Sequence, residues 1–356
     1  RQEKKVISHL GTEVSYDKLI LATGSGAMVP PIKGVEKKGV FVYRTLEDLE
    51  AIIDYGKNVK KAAVIGGGLL GLEAAKAVRD MGLETHVVEF APRLMPRQLD
   101  EAGASLLKSK LEDLGISIHL NKNTRQIKGN GKLSGLDFTD GSELPIEMLV
   151  ISAGIKPRDE LAKTCGLSYA ERGGVIVNEY LQTVEDKDIF AIGEVASIQN
   201  MIYGLVAPGY EMATQVVNQL TEKKVKPFLG YDMSTKLKLI GIDVASFGDP
   251  FGTNEPSTPI VYQNKISGEY KRINISLDGK RLLGGILVGE ASGYSMLLQM
   301  TQNSMPLPPN PEDLILGSRG GKESSGAGVS DLPSEAQICS CENVTKGSLC
   351  KIIEEE

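Results

Sequence analysis

Four cysteines in 356 residues are too few for a disulfide scaffold, and Cys339, Cys341 and Cys350 all fall in the last eighteen positions. A reducing cytoplasm is the compartment expected of so few thiols. Histidine is scarcer still. His9, His86 and His119 all fall in strand-like stretches, where structural roles are expected. Positive charge is not in excess: the formal net charge is −6 and the pI about 5.4. That balance argues against nucleic acid or an anionic membrane as a partner. Apolar runs fall far short of the ~20 residues that span a bilayer, so a soluble protein is expected. Neither a signal peptide nor an initiator methionine is visible. The chain starts at Arg1 and is expected to be a piece of a longer one.

What remains is an ordinary globular composition, 41% hydrophobic and 24% charged, in a chain long enough for two or three domains. Its most informative stretch is Ala62-Ala63-Val64-Ile65-Gly66-Gly67-Gly68-Leu69-Leu70-Gly71-Leu72-Glu73-Ala74-Ala75. A short apolar run ends in Gly66-x-Gly68-x-x-Gly71 and passes straight into a helical pattern. Gly66 permits a tight turn, Gly68 lets backbone approach a pyrophosphate, and Gly71 lets the helix pack close to the strand. The helix start adds free N–H groups and the positive end of a dipole. A second strand, 84–88, ends at Glu89, close to the ~20-residue offset of a ribose-binding acid. Glu89 favours NAD over NADP, because a carboxylate accepts both ribose hydroxyls and repels a 2′-phosphate. Nearby Arg93 weakens that preference only slightly. Some sixty residues precede this fingerprint, which usually opens a chain.

Around it, residues 1–24 read as a β-ribbon, with strands at 5–9 and 14–22. A short helix is expected over 45–55, with Thr45 as N-cap and Asp48 at N3. An amphipathic helix covers 98–114, a third strand 116–120, a meander 125–139, and an apolar strand 148–153. A second strand-to-turn unit lies at 188–193, followed by Glu194 and a helix over 207–220. From 235 to 289 short strands dominate (237–247, 270–277 and 282–288), which suggests an α+β domain.

Five motifs occur in the order of the two-dinucleotide flavoprotein reductases, the pyridine nucleotide-disulfide oxidoreductase superfamily. They are Leu21-Ala22-Thr23-Gly24-Ser25, Tyr43-Arg44-Thr45-Leu46-Glu47-Asp48, the glycine fingerprint, Ala153-Gly154-Ile155-Lys156-Pro157 and Phe190-Ala191-Ile192-Gly193-Glu194. Residues 203–213, 234–239 and Ile338-Cys339-Ser340-Cys341 resemble, more narrowly, the NADH-dependent assimilatory nitrite reductase large-subunit family. The likeness covers essentially the whole chain. It implies an α/β fold in which an NAD domain is inserted into an FAD domain. Residues 1–34 would end the first half of the FAD domain, 35–155 would bind NAD, and 156–230 would be the second FAD half. An α+β domain would follow at 231–302, a flexible linker at 303–336, and at 337–356 the start of a [2Fe–2S] ferredoxin-like module.

The resemblance also assigns roles. Thr23 and Gly24 would approach FAD and Arg44 would contact it as a cation. Gly154 would belong to the same cofactor-binding set, and Val206 would lie near the isoalloxazine ring. Gly193 and Glu194 stand in place of a Gly-Asp pair that binds the ribityl chain, and the longer Glu194 still fits as acceptor. Glu73, read as a first-turn residue, would face nicotinamide and flavin. Taken alone, Cys339-x-Cys341 fits either cluster ligands or a loop with two thiols, and the neighbouring motif favours ligands. Cys350 and Cys165 read as ordinary thiols.

The implied activity is hydride transfer from NADH to FAD, then electron flow to the [2Fe–2S] cluster. In a longer protein, electrons would continue to a [4Fe–4S]–sirohaem centre that turns nitrite into ammonium. A small subunit and a homodimer are implied partners. The alternatives are a separate electron-transfer flavoprotein serving rubredoxin, ferredoxin or nitrate reductase, and a non-enzymatic NAD-binding scaffold.

Overall fold

A computed structural model describes residues 1–221, 223–239, 241–317, 332–339 and 344–355. The chain divides into two compact units, one of Arg1–Met28 with Gly154–Tyr231, the other of Val29–Ala153 with Asp232–Glu356.

In the first unit, the short strands Leu19–Leu21 and Ile189–Ala191 pair in parallel, and Ser25–Ala27 pairs antiparallel with Ile155–Pro157. Val175–Val177 pairs in parallel with Ala196–Ile198. Leu21, Phe190, Val195, Met212 and Phe228 are buried among them. The expected 14–22 strand is two separate elements. Lys5–Ile7 and Glu13–Ser15 form a self-contained ribbon, closed where the Tyr16 amide donates to the Lys4 carbonyl. The chain re-enters a sheet at Leu19, whose amide donates to the Asp188 carbonyl. The break follows from burial: Ile7 and Val14 are exposed, whereas Leu21 packs into the core.

The second unit holds a five-stranded parallel sheet in the order Val40–Val42, Met148–Ile151, Lys61–Ile65, Glu84–Val88, Ile116–His119. Its inner strands are covered on both faces, so 62–65 and 148–151 run apolar without alternation, whereas Glu84–Val88 opens with three polar residues. Ala62 and Val64 share a buried cluster with Leu72, Ala75 and Val78 of the helix Leu69–Asp80 and with Leu107 and Leu111 of the helix Glu101–Asp113. Ala63, Val88 and Leu149 pack with Ile127, Leu136 and Phe138 of the meander. The helix Leu46–Gly56 starts as expected, with a reciprocal capping box between Thr45 and Asp48.

An antiparallel five-stranded sheet follows in the order Thr235–Leu239, Ile242–Gly248, Leu282–Gly289, Glu269–Ser276, Ser257–Asn264. The last strand carries Pro259, which a sheet edge tolerates. Ile242, Val244, Tyr270, Ile286 and Val288 share the cluster of the nucleotide helices. Asp100 anchors this junction. It caps the helix Glu101–Asp113 through the Gly103 amide and also accepts the Tyr270 hydroxyl at 2.5 Å and Arg272 Nη1 at 3.0 Å. Burial, then Asp100, pushes the Tyr270 hydroxyl well above its ordinary range.

The stretch 303–336, expected as a flexible linker, is packed at both described ends. Met305, Ile315, Leu332 and Ala336 are buried with Leu297 and Met300 of the helix Tyr294–Gln302, and Asp313–Leu316 forms a helical turn. Its apolar residues anchor the ends that its Pro, Gly and Ser content suggested were free. Residues 318–331 lie outside the described part.

Candidate functional site

The strand Lys61–Ile65 leaves the sheet at Gly66 and must reverse at once to enter the helix Leu69–Asp80. Gly66 takes φ +121°, and a Cβ there would stand 2.2 Å from the Ser152 carbonyl oxygen. At Gly71 a Cβ would meet the Gly66 carbonyl oxygen at 2.0 Å, so at the turn the helix approaches the strand end backbone to backbone. Gly68 differs. It caps the helix without a side-chain bond, and nothing lies within 4 Å of where its Cβ would be. Two glycines are filled by protein and the third faces open space beside helix N–H groups, the arrangement that suits an approaching phosphate.

Glu89 is fixed against this turn. One carboxylate oxygen accepts the Gly67 amide and the other accepts the Ala91 amide at 2.7 Å. A carboxylate offers about four lone-pair sites, so each oxygen keeps capacity for a hydroxyl donor. The Glu89 main chain is held on both sides, its amide by the His119 carbonyl and its carbonyl by the Lys122 amide. Arg93 is tied to its own loop, where Nε donates to the Leu99 carbonyl at 3.0 Å and Nη2 approaches that of Pro96. Met95, buried and at φ +46°, closes the loop by donating its amide to the Gly67 carbonyl. Glu73 requires a correction. It is the fifth residue of the helix, half-buried in the second turn, and the first turn holds no acid. In the second turn its charge lies beyond the main reach of the helix dipole.

In the other unit, the ends of the parallel pair Leu19–Leu21 and Ile189–Ala191 gather most of the residues implied for the flavin. The Ile192 amide donates to the Leu21 carbonyl. Thr23 Oγ1 donates to the Arg158 carbonyl at 2.7 Å, and the Arg158 amide donates to the carbonyl of Gly24, at φ +66°. Gly193, at φ +70°, opens a 3₁₀ turn, and Glu194 Oε2 accepts the Ser25 hydroxyl at 2.6 Å. Gly154, at φ +114° and exposed, accepts the Met28 amide. Val206 opens the helix Val206–Leu220 and is 72% exposed although apolar. Ser25, which holds Glu194, carries no local sequence signal of that role, because its partner lies 169 residues away.

Two implied groups belong to other elements. Arg44 is exposed in the second unit, between Val40–Val42 and Leu46–Gly56. Cys339 is half-buried at the end of the strand Gln337–Cys339, which pairs with Val344–Thr345, and Cys341 lies outside the described residues. Among the described residues no three His, Cys, Asp or Glu side chains group as a metal site, and no helix is long and apolar enough to cross a membrane.

A glycine turn backed by a strand-end acid, with a second strand-to-turn cluster ending in a carboxylate, is the pattern of a dinucleotide-binding protein. The pyridine nucleotide-disulphide oxidoreductase family matches residues 1–219, and the rubredoxin NAD+ reductase C-terminal domain matches residues 234–305. The chain belongs to the pyridine nucleotide-disulphide oxidoreductases, enzymes that use FAD and NAD(P)H. It is 49% identical over 355 residues to the nitrite reductase (NADH) large subunit of Escherichia coli K12, covering 99% of this chain and 42% of that protein. It is 50% identical over 353 residues to the nitrite reductase [NAD(P)H] large subunit of Klebsiella oxytoca, covering 99% and 37%. The chain thus spans about two-fifths of the length of these relatives. The solved ferredoxin reductase of Rhodopseudomonas palustris superposes with a TM-score of 0.77 at 25% identity, covering 93% of this chain and 78% of that one.

Proposed function

We propose that this chain is the NADH-oxidising, FAD-carrying part of a nitrite reductase large subunit, and that the longer protein reduces nitrite to ammonium. The observation that carries the reading is the match along 99% of the chain to two nitrite reductase large subunits. The site's geometry fits it from below. The open space at Gly68 and the bare helix N-terminus suit the NADH pyrophosphate. Glu89 would accept the adenosine ribose hydroxyls, while Arg93 stays on its own loop, which favours NADH over NADPH.

Thr23, Gly24, Gly154 and the Gly193–Glu194 turn would hold FAD, with Ser25 orienting Glu194 as acceptor. The exposed Val206 would give the ring an apolar surface, Arg44 a cation, and Glu73 a carboxylate at the nicotinamide. When bound, FAD supplies an acceptor that takes a hydride and returns single electrons. The chain's own residues contribute position and charge. Cys339 and Cys341 would give two of the four thiolates of a [2Fe–2S] cluster, with sirohaem and [4Fe–4S] held elsewhere in the longer protein. Its proposed partners are NADH, nitrite, a small subunit and a second copy of the chain, in the cytoplasm.

The test is flavin content and NADH:ferricyanide activity in the full-length protein and in Glu194→Ala. The expected result is a yellow, active enzyme whose flavin occupancy falls severalfold on substitution, with activity falling in proportion. A colourless, inactive preparation would refute the reading, and unchanged occupancy in Glu194→Ala would remove that residue's role.

A further inference from the structure

Away from the nucleotide turn, one chain of polar groups crosses the parallel sheet. Glu84 and His86 are two positions apart on one strand and so share a face. The register sets Lys61 opposite Glu84 and His119 opposite Val88, on that same face. The side chains connect in sequence. Lys61 Nζ lies 2.9 Å from Glu84 Oε2, His86 Nε2 lies 3.2 Å from Glu84 Oε1, and His86 Nδ1 lies 3.2 Å from His119 Nε2.

The protons follow from the chemistry of the partners. An ionised carboxylate only accepts, so His86 carries its proton on Nε2 and offers the lone pair of Nδ1. His119 then donates its Nε2–H to that lone pair. Nitrogens bound to one tetrahedral ion at ~2.0–2.1 Å stand about 3.3 Å apart, and the pair already holds 3.2 Å. Glu84 on the far nitrogen of His86 is the outer carboxylate that orients a metal-binding imidazole and raises its basicity.

We propose that His86 and His119 form a two-imidazole site for a divalent first-row transition ion of the zinc or nickel class, with Glu84 as its outer carboxylate and Lys61 fixing Glu84. When the ion binds, the His119 proton moves from Nε2 to Nδ1, both lone pairs turn to the metal, and water fills the other positions. His119 is half-buried on the edge strand and the facing Ser117 is exposed, which leaves a way in from solvent. Lys122, a cation that acts on His119, is held by Asp140 and Ser142. The His119 carbonyl holds the Glu89 amide, but neither imidazole bonds to a residue of the nucleotide turn or the flavin cluster, so the site does not rest on the proposed function.

The experiment is calorimetric titration of the full chain with Ni²⁺, repeated on His119→Gln, His86→Gln and Glu84→Gln. Wild type should take up one ion that both histidine variants bind at least tenfold more weakly. Glu84→Gln should weaken it about 10–100-fold, as loss of such outer carboxylates does. Added Ni²⁺ should raise the melting temperature of wild type and not of His119→Gln. His119 is half-buried on an edge strand, so its variant decides the matter even if His86→Gln fails to fold. No uptake by wild type, or equal affinity in His119→Gln, would overturn the proposal; the latter would place the ion on cysteine thiols instead.

Discussion

Gly68 and Gly71 stand three residues apart in the same turn, yet alanine should act on them in opposite ways. At Gly71 the change gains about 1 kcal/mol of helix propensity. It also drives a methyl to 2.0 Å from the Gly66 carbonyl oxygen and 2.8 Å from its carbon, both backbone atoms that cannot rotate aside. Relief requires strand and helix to part by about 1 Å, and overpacking of this kind costs about 1–3 kcal/mol or more. Because both contacts are with fixed backbone, the top of that range applies, and the net expectation is a loss of about 2 kcal/mol, or a fall of about 4–8 °C in melting temperature for a unit of about 250 residues. Gly68→Ala meets nothing within 4 Å, and its φ of −87° suits any residue. Its stability cost should stay under about 1 kcal/mol, that of a changed N-cap. The methyl enters the space assigned to the pyrophosphate, so the KM for NADH should rise tenfold or more. Thermal melts and NADH:ferricyanide kinetics on both variants separate the two effects. A Gly68→Ala enzyme with unchanged KM would refute the assignment of that space, and a Gly71→Ala enzyme as stable as wild type would refute the contact argument.

Glu89→Arg should move the ratio of kcat/KM for NADH over NADPH toward NADPH by tenfold or more; an unchanged ratio would show that Glu89 does not read the ribose. Asp100→Ala removes a helix cap and the partner of two largely buried groups, Tyr270 and Arg272. It should cost about 3–5 kcal/mol in urea unfolding, with Asp100→Asn milder. Asp188 bonds Lys18 and Lys4, which hold its carboxyl down at about 2. Its pKa is lower folded than unfolded, so its contribution is present above pH ~4 and lost as pH falls toward 2. Asp188→Asn should therefore be less stable than wild type near neutrality, and the two acid melts should converge toward pH 2.

The parts legible in the sequence were those whose physics is local. A parallel strand buried on both faces is apolar without interruption, and a strand that must turn at once into a helix shows its glycines, so 61–75 could be read directly. The Thr45–Asp48 capping box is equally local. Contacts between distant residues left no such trace. Nothing beside Asp100 announces a tyrosine 170 positions away, and nothing beside Glu194 marks Ser25 as its donor. Pro259 concealed an edge strand, because proline argues against a strand unless the edge is known. Pro, Gly and Ser in 303–336 suggested a linker, while Met305, Ile315, Leu332 and Ala336 were the anchors. Glu73 lies one turn deeper than expected because the helix begins at Leu69, before the last glycine, Gly71.

The most direct test of the central claim is an anaerobic titration of the full-length protein with NADH, followed by flavin absorbance. One equivalent of NADH should bleach the bound flavin, and nitrite added afterwards should restore its colour with formation of ammonium. A protein that carries flavin but keeps its colour under NADH would contradict the account at its first step. Bleaching that nitrite cannot reverse would leave an NADH-oxidising flavoprotein and contradict the assigned acceptor.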